Sequence, residues 1–176
     1  MFTMEEVRIA NATSRSNGAS ARNKDGSVRA IVPKYVADHI GKECAILDFG
    51  AGKGALHTKW LREEGFNVTA YDFGANLIEG LHDENALDKQ YDIVFASNVL
   101  NVQSSIEMLF KTIRQAYSSV KPGGYFICNY PAIPRKLDVG ALDIYCALRQ
   151  VFDTLPKRVG GTASAPLWKV QKPYGN

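Results

Sequence analysis

Residues 46–54 read Ile46-Leu47-Asp48-Phe49-Gly50-Ala51-Gly52-Lys53-Gly54, an apolar run that opens into a glycine-rich turn. The apolar run Ala45–Phe49 predicts a short buried strand. Beyond the glycines, residues 53–64 have helical spacing, with Leu56, Trp60 and Leu61 on one face and Gly65 at the C-terminal cap position. Glycines at such a turn let backbone N–H groups approach a ligand with no Cβ in the way. The spacing is GxGxG rather than GxGxxG, and Asp48 stands two residues before the first glycine. A carboxylate there repels a pyrophosphate and welcomes an ammonium. The pattern is therefore a nucleotide-type turn that disfavours NAD.

Working outward, Val68–Asp72 predicts a second strand that ends on an acid 18 residues beyond Gly54. An acid at that place accepts the ribose hydroxyls of a nucleoside, and Phe73 beside it suits an adenine face. The rival reading of Asp72 is an acid capping a turn. Residues 91–97 predict another strand. Residues 104–120 predict a helix, because Ile106, Leu109, Phe110, Ile113, Ala116, Tyr117 and Val120 recur at spacings of three and four. Pro122-Gly123-Gly124 ends that helix, strand 125–129 follows, then a helix over 139–152 and a last strand over 166–172. Alternating strands and helices imply an α/β domain with a mainly parallel sheet covered on both faces. In His82-Asp83-Glu84-Asn85-Ala86-Leu87, Asp83 is placed to accept an adenine amino group; the rival reading is a solvated turn.

The segments LDFGAGKGAL, AYDF, HDENAL, YDIVFASNVL and VKPGGYF occur in the order and spacing of class I S-adenosylmethionine-dependent methyltransferases. The chain resembles that family over residues 30–176. The resemblance implies a Rossmann-like, mostly parallel seven-stranded sheet, ordered 3-2-1-4-5-7-6, with the last strand antiparallel. It implies S-adenosylmethionine as cofactor and methyl transfer as activity. By the same resemblance Gly50, Ala51, Gly52 and Gly54 hold the methionine portion and Asp48 faces its ammonium. Asp72 and Phe73 take the ribose and adenine, Asp83 the adenine amino group, and Ser97 and Asn98 line the site beside the methyl group. The sequence departs from the family in one place. Only residues 73–90 separate the second strand from the fourth, so the fold is reduced there, the missing part being foremost the helix after the second strand. That leaves the adenine pocket open. The acid-or-Asn, Pro-Pro, aromatic motif of DNA amino-methyltransferases is absent from the end of the fourth strand, which reads SNVLNV.

Length and charge bound the rest. A chain of 176 residues suffices for one domain. Residues 1–30 read as a flexible basic N-terminal arm and 31–176 as the cofactor-binding domain. Residues 11–30 hold almost no large apolar side chain, and Arg15, Arg22, Lys24 and Arg29 lie there as candidate phosphate contacts. Net charge is +3 over residues 1–36, −4 over 37–153 and +4 over 154–176. Nucleic acid and a small molecule are both open as methyl acceptor. Asn98, Asn101 and Tyr130 are the candidates for substrate orientation or catalysis. The alternative function is a non-catalytic S-adenosylmethionine-binding sensor or partner protein, and an NAD-dependent oxidoreductase is a weaker rival. His39, His57 and His82 have no metal-ligand spacing, so no metal is expected. Cys44, Cys128 and Cys146 read as buried reduced thiols. The N-terminus lacks signal-peptide order and no run is long enough to span a bilayer, so a cytoplasmic protein is expected.

Overall fold

The computed structural model describes residues 2–13 and 22–175. Its sheet has six strands: β1 (Ala45–Phe49), β2 (Asn67–Tyr71), β3 (Tyr91–Ala96), β4 (Val120–Asn129), β5 (Lys157–Gly161) and β6 (Pro166–Gln171). Their order is β2-β1-β3-β4-β6-β5. The first four strands are mutually parallel, and β6 runs antiparallel to both β4 and β5. The helices are α1 (Met4–Thr13), α2 (Ile31–His39), α3 (Leu56–Glu63), α4 (Ile106–Ser119) and α5 (Ala141–Phe152). No helix among the described residues is long and apolar enough to cross a membrane.

The two-residue period of a strand sends alternate side chains to opposite faces. Leu47, Phe49, Val94, Ala96, Phe126 and Cys128 point to one face, where they pack on Leu109, Ile113 and Ala116 of α4 and Leu148 and Phe152 of α5. Ile46, Ile93, Phe95 and Ile127 point to the other, against Val32 and Val36 of α2 and Trp60 and Leu61 of α3. Continuous apolar strands are what burial on both faces requires. The start of α4 is fixed by Ser105, whose Oγ accepts the Met108 N–H at 3.0 Å.

The sheet differs from the expected seven strands. The third strand of the family order is missing, as well as the helix before it. Residues 73–90 form only two 3-10 turns, Gly74–Asn76 and Ala86–Asp88. Eighteen residues cannot supply a helix, a strand and their connections; the span goes into turns. As a result β2 is the sheet edge. Two of its outward carbonyls are occupied without a neighbouring strand: Arg62 Nε donates to Val68 O at 2.9 Å, and Asp83 N donates to Ala70 O at 2.9 Å.

Two further differences concern the N-terminal segment and the cysteines. Residues 4–13, inside the expected arm, form helix α1, which packs on the loop after β2. Cys146 is exposed on α5 rather than buried, whereas Cys128 is buried, and that burial pushes its thiol far above the usual range.

Candidate functional site

The C-terminal ends of β1, β2 and β3 meet on one side of the sheet, where open α/β sheets bind ligands. A partly open cavity of about 100 Å³ lies there. Its wall includes Gly50, Ala51, Gly52, His57, Asp72, Phe73, Ser97 and Asn98.

The glycine loop is fixed from several directions. Gly50 and Gly52 adopt φ of 78° and 79°, in the left-handed region that glycine tolerates. A Cβ on Gly50 would lie 2.7 Å from Val99 Cγ2, so the approach of these segments depends on its absence. The N–H groups of Gly50 and Ala51 both donate to Tyr71 O, at 3.0 and 2.9 Å. Gly52 N donates to Asp72 Oδ2 at 2.6 Å, and Phe73 N donates to Asp72 Oδ1 at 2.7 Å. Asp72 thus holds the loop while presenting a carboxylate on the cavity wall. Burial raises that carboxyl above its ordinary range, against the bonds from Phe73 and Gly52.

The carbonyl of the same Gly52 peptide is held by His82, a residue that sequence reasoning passed over in favour of its neighbour. His82 Nδ1 accepts the Ile78 N–H at 2.9 Å, so Nε2 carries the proton and donates to Gly52 O at 2.8 Å. Asp83 itself is not on the cavity wall. Its Oδ1 accepts Asn85 N–H at 2.9 Å and its Oδ2 pairs with Lys89 at 2.8 Å. The available signal was the reduced span 73–90, which leaves no strand to turn Asp83 toward an adenine.

Asp48 is buried beneath the loop and off the cavity wall. Strand alternation sends it to the α3 face with Ile46, where Thr58 Oγ1 donates to its Oδ2 at 2.7 Å. Burial pushes the Asp48 carboxyl up to about 7, opposed by the Thr58 bond and assisted by the nearby Asp72 charge. Burial pushes His57, on α3, down to about 4. An acid raised in the fold binds more protons folded than unfolded, so stability falls as pH rises from about 4 to about 7. Asp72 acts in the same direction. A base lowered in the fold acts oppositely, adding stability as pH rises from about 4 to about 6.5. Asp48→Asn removes one source of that loss, so the variant's stability relative to wild type is expected to rise with pH from about 4 to about 7. Denaturant titrations across it check this, and parallel courses for the two proteins would remove Asp48 as the cause.

At the end of β3, Asn98 adopts φ of 57°. Asn129, at the end of β4, holds it there: Oδ1 accepts Asn98 N–H and Nδ2 donates to Asn98 Oδ1, both at 2.8 Å. Ser97 Oγ is buried with no hydrogen-bond partner among the described residues. Asn101 and Tyr130 do not reach the cavity wall. Asn101 Nδ2 donates to Pro134 O at 2.8 Å, which pins the loop after β4. Tyr130 is buried with its hydroxyl donating to Val139 O at 2.7 Å and the Arg135 guanidinium 4.1 Å from its ring centre. Gly54, too, lies off the wall, with open space where a Cβ would sit.

Helix α1 roofs the cavity with Val7, Ala10 and Asn11, preceded by Phe2. Phe2 meets Phe73 edge-on at 4.4 Å, and the Asn11 and Asn76 amides exchange hydrogen bonds of 3.2 and 2.8 Å. The segment expected to be open is therefore covered. The other described arm residues sit elsewhere. Arg22 donates to Gly26 O at 3.0 Å and lies 3.8 Å from Glu63, while Lys24 and Arg29 are exposed; none of the three is on the wall. Arg15 lies outside the described residues.

The sequence matches no curated protein at significance. Among solved structures, it is similar to a TehB-like S-adenosylmethionine-dependent methyltransferase from Corynebacterium glutamicum, with 13% identity, a TM-score of 0.64, and coverage of 84% of this chain and 90% of that one. It is similar to the N-methyltransferase NodS from Bradyrhizobium japonicum, solved with S-adenosyl-L-homocysteine, with 14% identity, a TM-score of 0.62, and 96% and 98% coverage. An O-methyltransferase family protein from Burkholderia thailandensis matches with 16% identity and a TM-score of 0.56, over 80% of this chain; the chain spans just over half of that protein, 55%. These likenesses speak to the fold. A family model described as a methyltransferase domain matches residues 17–158. The chain belongs to this methyltransferase-domain family, the group that its glycine loop and strand-end motifs resemble.

Proposed function

We propose that the chain binds S-adenosylmethionine in the cavity beneath α1 and transfers its methyl group to a small-molecule acceptor. One observation carries the reading. Asp72 anchors the Gly52 N–H and lies on the wall of a partly open cavity at the strand ends. The residues present suit the cofactor. Gly50, Ala51 and Gly52 present glycine-loop backbone on the wall, and Ser97 Oγ is a buried polar atom without a partner among the described residues. NodS, along which this chain aligns almost end to end, holds S-adenosyl-L-homocysteine.

When bound, the cofactor would supply an electrophilic methyl group on a sulfonium, which an acceptor's lone pair takes by in-line displacement with S-adenosylhomocysteine as the thioether leaving group. Asp72 has lone pairs beyond those used by Gly52 and Phe73 and accepts the ribose hydroxyls. Gly50, Ala51 and Gly52 flank the methionine portion, and Phe73 packs on the adenine. Ser97 and Asn98 stand beside the reacting centre, with Asn98 held in place by Asn129. Asp48 contributes from below the loop, through Thr58 and α3. Phe2, Val7 and Ala10 keep water away.

The titratable side chains on the described wall are Asp72 and His57. Asp72 is engaged by the loop, and an imidazole held near 4 is a weak base. This favours an acceptor that brings its own lone pair, such as an amine or thiol, over an alcohol that must lose a proton in the step. Arg22, Lys24 and Arg29 lie off the wall, which argues against a phosphate-rich acceptor at this cavity.

Calorimetric titration with S-adenosylmethionine, S-adenosylhomocysteine and NAD tests the cofactor. Micromolar binding of the first two and none of NAD is expected; no binding of either sulfur compound overturns the reading. A screen of amines, thiols, alcohols, DNA and RNA for S-adenosylhomocysteine release tests the acceptor. Release only with nucleic acid overturns the small-molecule reading, and binding without release from any class assigns a sensor role instead.

A further inference from the structure

We propose that a groove at the end of the sheet away from the cofactor cavity docks single-stranded nucleic acid, with Lys157 and Lys169 holding its phosphates and the aromatic rings beside them its bases. The groove, of about 420 Å³, lies where β1, β3 and β4 begin, and His39, Asp92, Lys121, Tyr125, Lys169 and Tyr174 are on its wall. It shares no lining residue with the cofactor cavity. The β5–β6 hairpin brings the two lysines together. Lys157 and Lys169 stand directly opposite each other in that antiparallel pair, and opposed residues share a face. By the two-residue period of a strand, Lys169 points to the same face as Leu167, which packs with Val32 and Val36 of α2. Lys169 Nζ lies 4.3 Å from the centre of the Tyr125 ring.

Like charges directly opposed across two strands destabilise a sheet. No acid offsets them here. Residues 154–176 hold Lys157, Arg158, Lys169 and Lys172 and no Asp or Glu. Among the described residues, neither Lys157 nor Lys169 is in an ion pair. Burial and the charge of Lys157 hold the Lys169 ammonium below its usual range. An anion seated between the two relieves that repulsion. The acids at the groove are placed elsewhere: Asp92 accepts the Ala45 N–H at 2.8 Å and pairs with Lys121 at 3.5 Å, and the Glu43 carboxyl lies over Gly41. The rings decide the kind of anion. Tyr174 is 77% exposed, and the exposed His39 ring lies 4.4 Å from that of Tyr35. Cations interleaved with rings suit a strand whose bases are free to stack, whereas a duplex keeps its bases inside. A strand held here lies at the opposite end of the sheet from Ser97 and Asn98, so the groove is a docking surface and not the acceptor site.

Fluorescence anisotropy of the full chain with labelled oligothymidylate and oligouridylate, each of about 12 nucleotides, tests this. Binding is expected at low salt and should weaken as salt rises. Lys157→Ala with Lys169→Ala should weaken it by roughly 10-fold and reduce the slope of log affinity against log salt by about 1.4, the share of two single-strand phosphate contacts. Lys59→Ala with Arg149→Ala removes two exposed cations from α3 and α5 and should stay close to wild type, which separates a site from net charge. Tyr174→Ala should cost roughly fivefold or more and leave the salt slope unchanged, because it removes stacking and not charge. No binding at low salt, an equal loss in the two double variants, or tighter binding of a duplex of the same length would overturn the proposal. Because the cofactor cavity is separate, saturating S-adenosylhomocysteine should not displace the oligonucleotide; displacement would place the strand in that cavity and overturn the proposal as well.

Discussion

Asp72→Ala should weaken S-adenosylhomocysteine binding by about 2–3 kcal/mol, because it removes charge-assisted bonds to the ribose hydroxyls. The same change strips acceptors from Gly52 N–H and Phe73 N–H, which Asp72 holds at 2.6 and 2.7 Å. Both bonds are part-buried, and their donors would be left without a partner, so thermal stability should fall as well. Asp72→Asn separates the two effects. It keeps one carbonyl oxygen for the backbone but loses the charge, and should recover more stability than affinity. Calorimetry and thermal melting on the three proteins measure this. A folded Asp72→Ala variant with wild-type affinity would remove Asp72 from the binding site.

The largest stability effect is expected at Phe126 on β4. Its side chain is fully buried and stacks on Phe152 of α5, ring planes 1° apart and centres 5.9 Å apart. That contact joins the sheet to α5, whose other buried side chains are Ile144, Ala147 and Leu148. Phe126→Ala removes the ring and leaves a void that rigid neighbours cannot close, at a cost of about 3–5 kcal/mol. For a chain of this size the melting temperature should drop by about 10 °C. Guanidinium unfolding with an unchanged slope would confirm a loss of packing, while a loss below about 1 kcal/mol would show that α5 relaxes into the space.

The core of the fold was legible because its signals are local. The run Ala45–Phe49 followed by glycines, and the spacing of Ile106, Leu109 and Ile113, each admit one regular structure under the demand for burial. Asp72 and Ser97 were legible for a related reason: the end of a parallel strand is a fixed place in the fold. What escaped depends on long-range partners. MEEVRIANAT has no pronounced apolar stripe, and α1 is held by long-range contacts that include buried Val7, Glu6 with Lys111, the preceding Phe2 on Phe73, and an amide pair across 65 residues of chain. His57 and His82 look alike in sequence, and only the loop packed between them assigns one to the backbone and the other to the cavity. Asp83 was misplaced because the family spacing presumes a strand that this chain does not have. Asp48 was misplaced because a strand's alternation counts for more than proximity to the glycines.

Losing an outer strand ordinarily leaves a template on which another chain can extend a sheet, the first step of aggregation. In this protein the deletion comes with its own plug. Arg62 reaches back from α3 to Val68 O, and the shortened loop folds its Asp83 N–H onto Ala70 O. The residue that the family pattern would spend on adenine thus serves, through its N–H, to keep the molecule from growing sideways, while its carboxylate ties the loop to Asn85 and Lys89. Asp83→Asn, which keeps the N–H and an acceptor for Asn85, should leave the edge covered, whereas proline there, with no N–H to give, would uncover the edge and favour self-association in solution.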